Sequence, residues 1–272
     1  MYETMLPEQE RYEGMPDFGA LYDDLYRHGY RSRLASYEIA RWEALEHYLT
    51  RVLKLSDVQS VLDYGGGSGA FIPLWQALFP RADLFFCDVS VVALEKLQQR
   101  YPQYRNRCCL VQENRAKLGD ETAEIILSVE VMEHVENLDA YLNDAYRLLK
   151  PGGHFVWSTP CANRLSIEHV YNVLTRQIES TAEGARRWKW EDPTHLRRLR
   201  SGEVRARLKE FGFEDIRFRF RAHFFSFICS RYLANRLPEQ VNERLMKLDY
   251  RLFRRLPNGA SMLGSAIKPG AS

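Results

Sequence analysis

Two groups of residues in this 272-residue chain have the types and spacing to do chemistry. The first is Val61-Leu-Asp-Tyr-Gly-Gly-Gly-Ser-Gly-Ala70, with Asp63 ahead of Gly65, Gly67 and Gly69, and a further acid, Asp88, downstream. Glycines let a backbone approach a ligand closely and adopt φ > 0. A helix starting after such a loop offers unpaired N–H groups to a carboxylate or phosphate. An acid placed like Asp88 can accept both hydroxyls of a ribose. The second group is Glu130-Val-Met-Glu-His134. On a helical turn, Glu130, Glu133 and His134 would share one face. Two carboxylates and an imidazole suit a hard divalent cation such as Mg2+. His195, in Asp192-Pro-Thr-His195, is the candidate fourth ligand. Without a metal, His134 and His195 are candidate general bases, with Glu133 beside them. A purely packed imidazole is the third reading.

The glycine loop needs a strand before it and a helix after it, and the pattern supplies both. Ser60–Tyr64 reads as a strand, and Phe71 to Leu78 as a helix closed by Pro80. Further strands are expected at Leu84–Cys87, Cys108–Val111, Ile125–Val129 and His154–Ser158, with helices at Val91–Tyr101 and Leu138–Leu149 between them. Short apolar runs alternating with helices predict a parallel sheet covered on both faces. Ahead of it, Tyr22, Leu25 and Tyr26 form one helical stripe, and Ile39, Trp42, Leu45, Tyr48 and Leu49 another. Pro7, Gly14 and Pro16 predict an irregular start. Beyond Pro160 the expected elements are helices at Ser166–Ile178, Glu203–Phe211 and Tyr232–Leu256, and strands at Phe213–Arg221 and Ser261–Ile267.

Two cofactor classes compete for the loop. Gly65, Gly67, Ala70 and Asp88 satisfy the relaxed pattern of dinucleotide binders, which leaves an NAD(P)-dependent oxidoreductase as the alternative. Asp63 would repel a pyrophosphate, whereas a cofactor with an ammonium and a sulfonium would be attracted. With Asp63, Gly65, Gly67 and Gly69 as D-x-G-x-G-x-G, the chain resembles class I S-adenosylmethionine-dependent methyltransferases. The resemblance runs in order from about Val58 to Pro160. Glu113-Asn114-Arg115, Ile126-Leu-Ser-Val-Glu-Val-Met-Glu-His134 and Leu148-Leu-Lys-Pro-Gly-Gly153 all fall where that superfamily has motifs.

The resemblance implies a Rossmann-like, doubly wound, seven-stranded and mostly parallel sheet, its last strand antiparallel beside the fifth. It implies a cofactor held by Asp63, Gly65, Gly67, Gly69, Asp88, Asn114 and Val129. Glu130-x-x-Glu-His134 with Thr194-His195 is similar to the ubiquinone-biosynthesis O-methyltransferase branch, and the glutamates with the two histidines also match the small-RNA 2′-O-methyltransferases. That similarity implies a cation binding an acceptor hydroxyl, and hence O-methylation of a small-molecule, lipid-like or sugar acceptor. A non-catalytic scaffold of the same fold is the remaining alternative.

The expected layout is an N-terminal helical cap over 1–57, a cofactor-binding core over 58–160, and an acceptor-binding cap with the rest of the sheet over 161–272. Arg186-Arg-Trp-Lys-Trp190 and Leu196-Arg-Arg-Leu-Arg200 suit either an anionic or ring-containing acceptor or a solvated cover paired with Glu191 and Asp192. Phe218, Phe220, Phe224, Phe225, Phe227 and Tyr232, with Arg219, Arg221 and Arg231 among them, read as core against the N-terminal helices. The second reading of that run is a peripheral contact with an anionic membrane. Tyr22, Tyr26, Tyr30 and Trp42 are candidates to close the cofactor site.

Lys+Arg minus Asp+Glu is 38 − 36 = +2, so no global field marks a nucleic-acid binder. The five cysteines include no CxxC pair, and the first residues lack a basic region followed by an apolar one. Both features lead to the expectation of a reducing, cytoplasmic location.

Overall fold

The computed structural model describes residues 18–28, 36–55, 57–180, 186–189, 194–233 and 236–270. Pro7, Gly14, Pro16, Tyr30, Trp190, Glu191 and Asp192, singled out above, lie outside the described residues. Two helices come first, α1 (Phe18–Arg27) and α2 (Ser36–His47), the latter prolonged by a π-type turn over Tyr48–Leu53. Then the alternation begins: β1 (Ser60–Tyr64), α3 (Ile72–Leu78), β2 (Asp83–Asp88), α4 (Val91–Arg100), β3 (Cys108–Gln112), β4 (Arg115–Ala116), β5 (Ala123–Val129), α5 (Leu138–Leu148) and β6 (Leu149–Pro160). Next come α6 (Ile167–Leu174), the hairpin strands β7 (Ile178–Ser180) and β8 (Arg186–Trp188), α7 (Ser201–Glu210) and β9 (Glu214–Arg221). The last elements are α8 (Phe224–Ile228), α9 (Glu239–Phe253) and β10 (Ser261–Ile267).

The main sheet runs β4-β3-β2-β1-β5-β6-β10-β9. Strands β3, β2, β1, β5 and β6 are mutually parallel, while β10 runs antiparallel between β6 and β9. The sheet therefore has eight strands rather than the expected seven. The additional strand is β4, two residues antiparallel to the end of β3, too short to leave a period in the sequence. All five side chains of β1 are buried, as they must be when helices cover both faces. One face packs Trp157, Phe155, Tyr141 and Phe213; the other packs Trp75, Phe86, Leu45 and Tyr48. Strand order reverses between β1 and β5, so the loops after these two strands open onto the same crevice.

Helix starts follow their caps. Ser90 accepts from the Ala93 N–H at the start of α4, and Asn137 accepts from Ala140 at the start of α5. Two expected helices are shorter than their sequence periods. α6 stops at Leu174 because Ile178 turns into the β7–β8 hairpin. The span Tyr232–Leu256 breaks before Pro238, which starts α9. The Lys150-Pro-Gly-Gly153 stop lies inside β6, where Gly152 takes φ +78° and the register with β5 slips.

Among the described residues, no helix is long and apolar enough to cross a membrane. Most of the aromatic run is inward: Phe220 is buried, Phe218 packs on the core, and Phe225 and Phe227 stack on neighbours. Only Phe224 and Tyr232 of that run are strongly exposed.

Candidate active site

The crevice holds a cavity of about 520 Å3. It is lined by Gly65, Asp88, Glu113 and Asn114, by Glu130, Val131 and His134, and by Tyr22, Asp23 and Tyr26 of α1. The glycine loop is built from β1 and β2 together. Gly65 and Gly66 donate their N–H groups to the Cys87 carbonyl, at 2.8 and 3.2 Å. Gly65 has φ +79°, and a Cβ there would come within 2.4 Å of Val131. A larger residue would push the two loops apart and change the cavity wall.

Asp88 ends β2 in a fixed orientation. Its Oδ2 accepts from the Gly67 N–H at 2.8 Å and its Oδ1 from the Ser90 N–H at 2.9 Å. Asn114 reaches the same wall from a left-handed backbone, φ +57°. Asp63 lies at the loop, as its place before Gly65 predicts, but not in the cavity wall. It is buried beneath Gly66 and does not line the cavity, and Trp75 Nε1 donates to its Oδ2 at 2.8 Å. Burial, and secondarily the negative charge of Asp88, push its carboxyl up to about 7 against the pull of the Trp75 hydrogen bond. Gly67, Gly69 and Val129 are likewise not among the residues that line the cavity.

The Glu130–His134 segment is a turn, closed by the His134 N–H to the Val131 carbonyl. It is not the helical turn expected, because Glu130 takes φ +56° at the end of β5. The expected four-residue ligand set therefore separates. Glu130 accepts from Ser158 Oγ at 2.7 Å and from Arg41 Nη2 at 3.1 Å, in an ion pair almost shielded from solvent. Glu133, His134 and His195 come together, with one ligand atom of each within 4.8 Å of the others.

Glu133 is wholly buried, and its Oε2 accepts from Thr159 Oγ1 at 3.0 Å. Among the described residues its Oε1 has no hydrogen-bond partner, and it faces His134 Nε2 at 3.8 Å. Burial, then the Glu130 charge, push its carboxyl up to about 8, with His195 opposing. His134 Nδ1 lies 3.1 Å from both the carbonyl and the hydroxyl of Thr194, which orients its Nε2 toward Glu133. The His134 and His195 rings meet edge to face, centroids 4.7 Å apart. A buried carboxylate oxygen without a donor, beside two imidazoles, fits a divalent cation by donor type and spacing.

Sequence reasoning missed four contributors. Arg41 sits on α2, and no local pattern ties it to Glu130. Asp23 on α1 accepts from Ser90 Oγ at 2.6 Å and the Val92 N–H at 3.0 Å, capping a helix not its own. Lys96 donates to the Tyr26 carbonyl, a second tie between α1 and α4. Together these ties hold α1 over the loop, where the Tyr26 hydroxyl fills the space a Cβ on Gly67 would take. Trp75, a core residue by pattern, is the partner of Asp63.

Comparison with known proteins adds the following. A family model described as a methyltransferase domain matches residues 30–217. The malonyl-acyl-carrier-protein O-methyltransferase of Methylococcus capsulatus is 32% identical over 100 residues, 36% of each chain. A ubiquinone/menaquinone biosynthesis C-methyltransferase of Desulfotalea psychrophila is 29% identical over 107 residues, 39% of this chain and 44% of that one. The chain thus spans less than half of the length of either relative. Among solved structures, a methyltransferase of Thermotoga maritima superposes with a TM-score of 0.56 at 16% identity, covering 92% of this chain and 98% of its own. That likeness bears on the fold alone.

Proposed function

Because the chain belongs to the methyltransferase-domain family, we propose that it is an S-adenosylmethionine-dependent methyltransferase acting on a hydroxyl of a small-molecule acceptor. The observation that carries this is that Asp88 and Asn114 line one cavity together with Glu130 and His134. S-adenosylmethionine, when bound, supplies a methyl group on a positively charged sulfur.

Asp88 would hold the ribose hydroxyls, its carboxylate already fixed by two backbone donors. Asn114 would meet the adenine, and Gly65 would let the loop backbone approach. Gly67, Gly69, Val129 and Asp63 would act without lining the cavity, Asp63 by bracing the loop from beneath Gly66 through its Trp75 hydrogen bond. His134 would take the acceptor's proton at Nε2, with Thr194 fixing the ring and His195 and Glu133 packed beside it. The cofactor would supply that methyl to the acceptor oxygen, the electron pair of the broken S–C bond staying on sulfur. The protein's main contribution is to align the two reactants.

Glu133, His134 and His195 are also the residues that would hold a divalent cation, which would lower the pKa of the acceptor hydroxyl. Glu130 is better assigned to the cavity wall, since Arg41 and Ser158 occupy its carboxylate. Malonyl-carrier and quinone-type relatives, whose names point to carrier-linked or lipid-like substrates, favour a lipid-like acceptor over nucleic acid.

The test is transfer of labelled methyl from S-adenosylmethionine to a panel of phenols, acyl carboxylates, sugars and amines. Label on oxygen, lost in His195→Ala while cofactor affinity is kept, supports the reading. Label only on nitrogen or carbon, or full turnover in His195→Ala, overturns the acceptor assignment.

A further inference from the structure

One helix face plays no part in this chemistry. α9 turns Asn242, Met246, Asp249 and Tyr250 inward, and Met246 packs on Ala40 of α2. Its outer side carries Val241, Leu248 and Leu252, exposed by 38%, 42% and 59%, with Leu256 just past its end at 48%. At helical spacing Val241, Leu248 and Leu252 fall within an arc of about 40°. Phe224, 55% exposed, follows His223, whose Nε2 donates to the Leu256 carbonyl, so a fifth apolar side chain stands at the same end.

The flank of this stripe is basic. Arg244, Arg251 and Arg255 are exposed along one side of it. The acids of the helix do not offset them. Glu243 is paired with Lys247 at 2.6 Å, and Asp249 is buried under the His223 and Phe225 N–H groups. Glu239 lies in the first turn, away from the arginine row. Beneath the helix the charge has the same sign. Arg254, Arg219 and Arg51 all act on His47, and Glu43, the acid that opposes them there, is shared by Lys247 and Arg251.

An exposed apolar stripe of this length marks a docking surface. A second copy of the chain is a poor occupant, because a two-fold contact would set one arginine row beside the other while Glu43 is already shared by Lys247 and Arg251. An apolar stripe edged by arginines suits the boundary of an anionic bilayer. There the aliphatic side chains enter between headgroups and the guanidinium groups bind lipid phosphates.

We propose that α9 seats this protein on an anionic phospholipid surface, through Val241, Leu248, Leu252, Leu256 and Phe224 with Arg244, Arg251 and Arg255. This surface is separate from the cavity and does not depend on the acceptor assignment.

The experiment is co-sedimentation of the full chain with phosphatidylcholine vesicles, with and without phosphatidylglycerol. Two double variants accompany it, Arg244→Glu/Arg255→Glu and Leu248→Ser/Leu252→Ser. Their side chains are exposed, so thermal melting should stay near wild type and show that both fold. Binding is expected only to the vesicles with phosphatidylglycerol and should weaken with salt. Charge reversal should weaken it by at least about tenfold, and the serine variant should weaken it too. Absent binding, equal binding to both vesicle types, or unchanged binding by the variants overturns the proposal. So does a wild-type dimer that the serine variant converts to monomer, which would make this face a self-interface.

Discussion

Asp63→Asn should stabilise the protein at alkaline pH. The carboxyl is buried, and its pKa lies at about 7 against an ordinary value of 3.8. Between those values the folded chain keeps a proton that the unfolded chain has lost. Stability from this site therefore falls as pH rises through that window, and is flat above about pH 7. At about 1.4 kcal/mol per pK unit, the ceiling is about 4 kcal/mol. Asparagine does not titrate, and its Oδ1 can still accept from Trp75 Nε1. The variant should match wild type near pH 4 and exceed it by up to about 4 kcal/mol at pH 8. In a protein of this size that is about 8 °C in melting temperature. The assay is urea or thermal unfolding of both proteins at several pH values, read as a difference so that other groups cancel. A variant less stable than wild type at pH 8, with parallel pH curves, would refute the reasoning and show that Asp63 is stably ionised.

Asp88→Asn replaces an acceptor of two backbone N–H groups by one that must turn an amide toward one of them. A stability loss of about 2–4 kcal/mol in unfolding, and S-adenosylhomocysteine binding at least about 100-fold weaker by calorimetry, are expected. Arg41→Met leaves Glu130 buried without its cation, at a cost of about 3–5 kcal/mol; adding Glu130→Gln should recover part of it, which denaturant melts can check. Mn2+ at about 100 times its dissociation constant should stabilise wild type by about 2.7 kcal/mol. Glu133→Gln and His195→Ala should abolish that melting shift, and an equal shift in either variant would remove the cluster as a metal site.

The fold was legible because β1, β2, β5 and β6 are buried short runs between capped helices, a pattern local enough to read from sequence. The strand over Ser261–Ile267 was read to its last residue, since glycine and proline bound it clearly. β4 was not legible: two residues carry no period. The site was readable along the chain and unreadable across it. Asp88 follows from its place at a strand end. The burial of Asp63 depends on Trp75 folding back from the next helix. Glu130 was grouped with His134 on an assumed helical turn, but its left-handed backbone sends its carboxylate to Arg41, which is 89 positions away. Asp23 capping α4 is likewise a tertiary contact, made through a side chain whose type is common at helix surfaces.

The central claim is that the cavity above the glycine loop takes an S-adenosyl cofactor held by Asp88. Calorimetric titration with S-adenosylhomocysteine, after EDTA treatment, tests it most directly. The account predicts one saturable site per chain in wild type, severe weakening in Asp88→Ala, and no heat from NADH. Binding of NADH without S-adenosylhomocysteine, or equal affinity in wild type and Asp88→Ala, would contradict it.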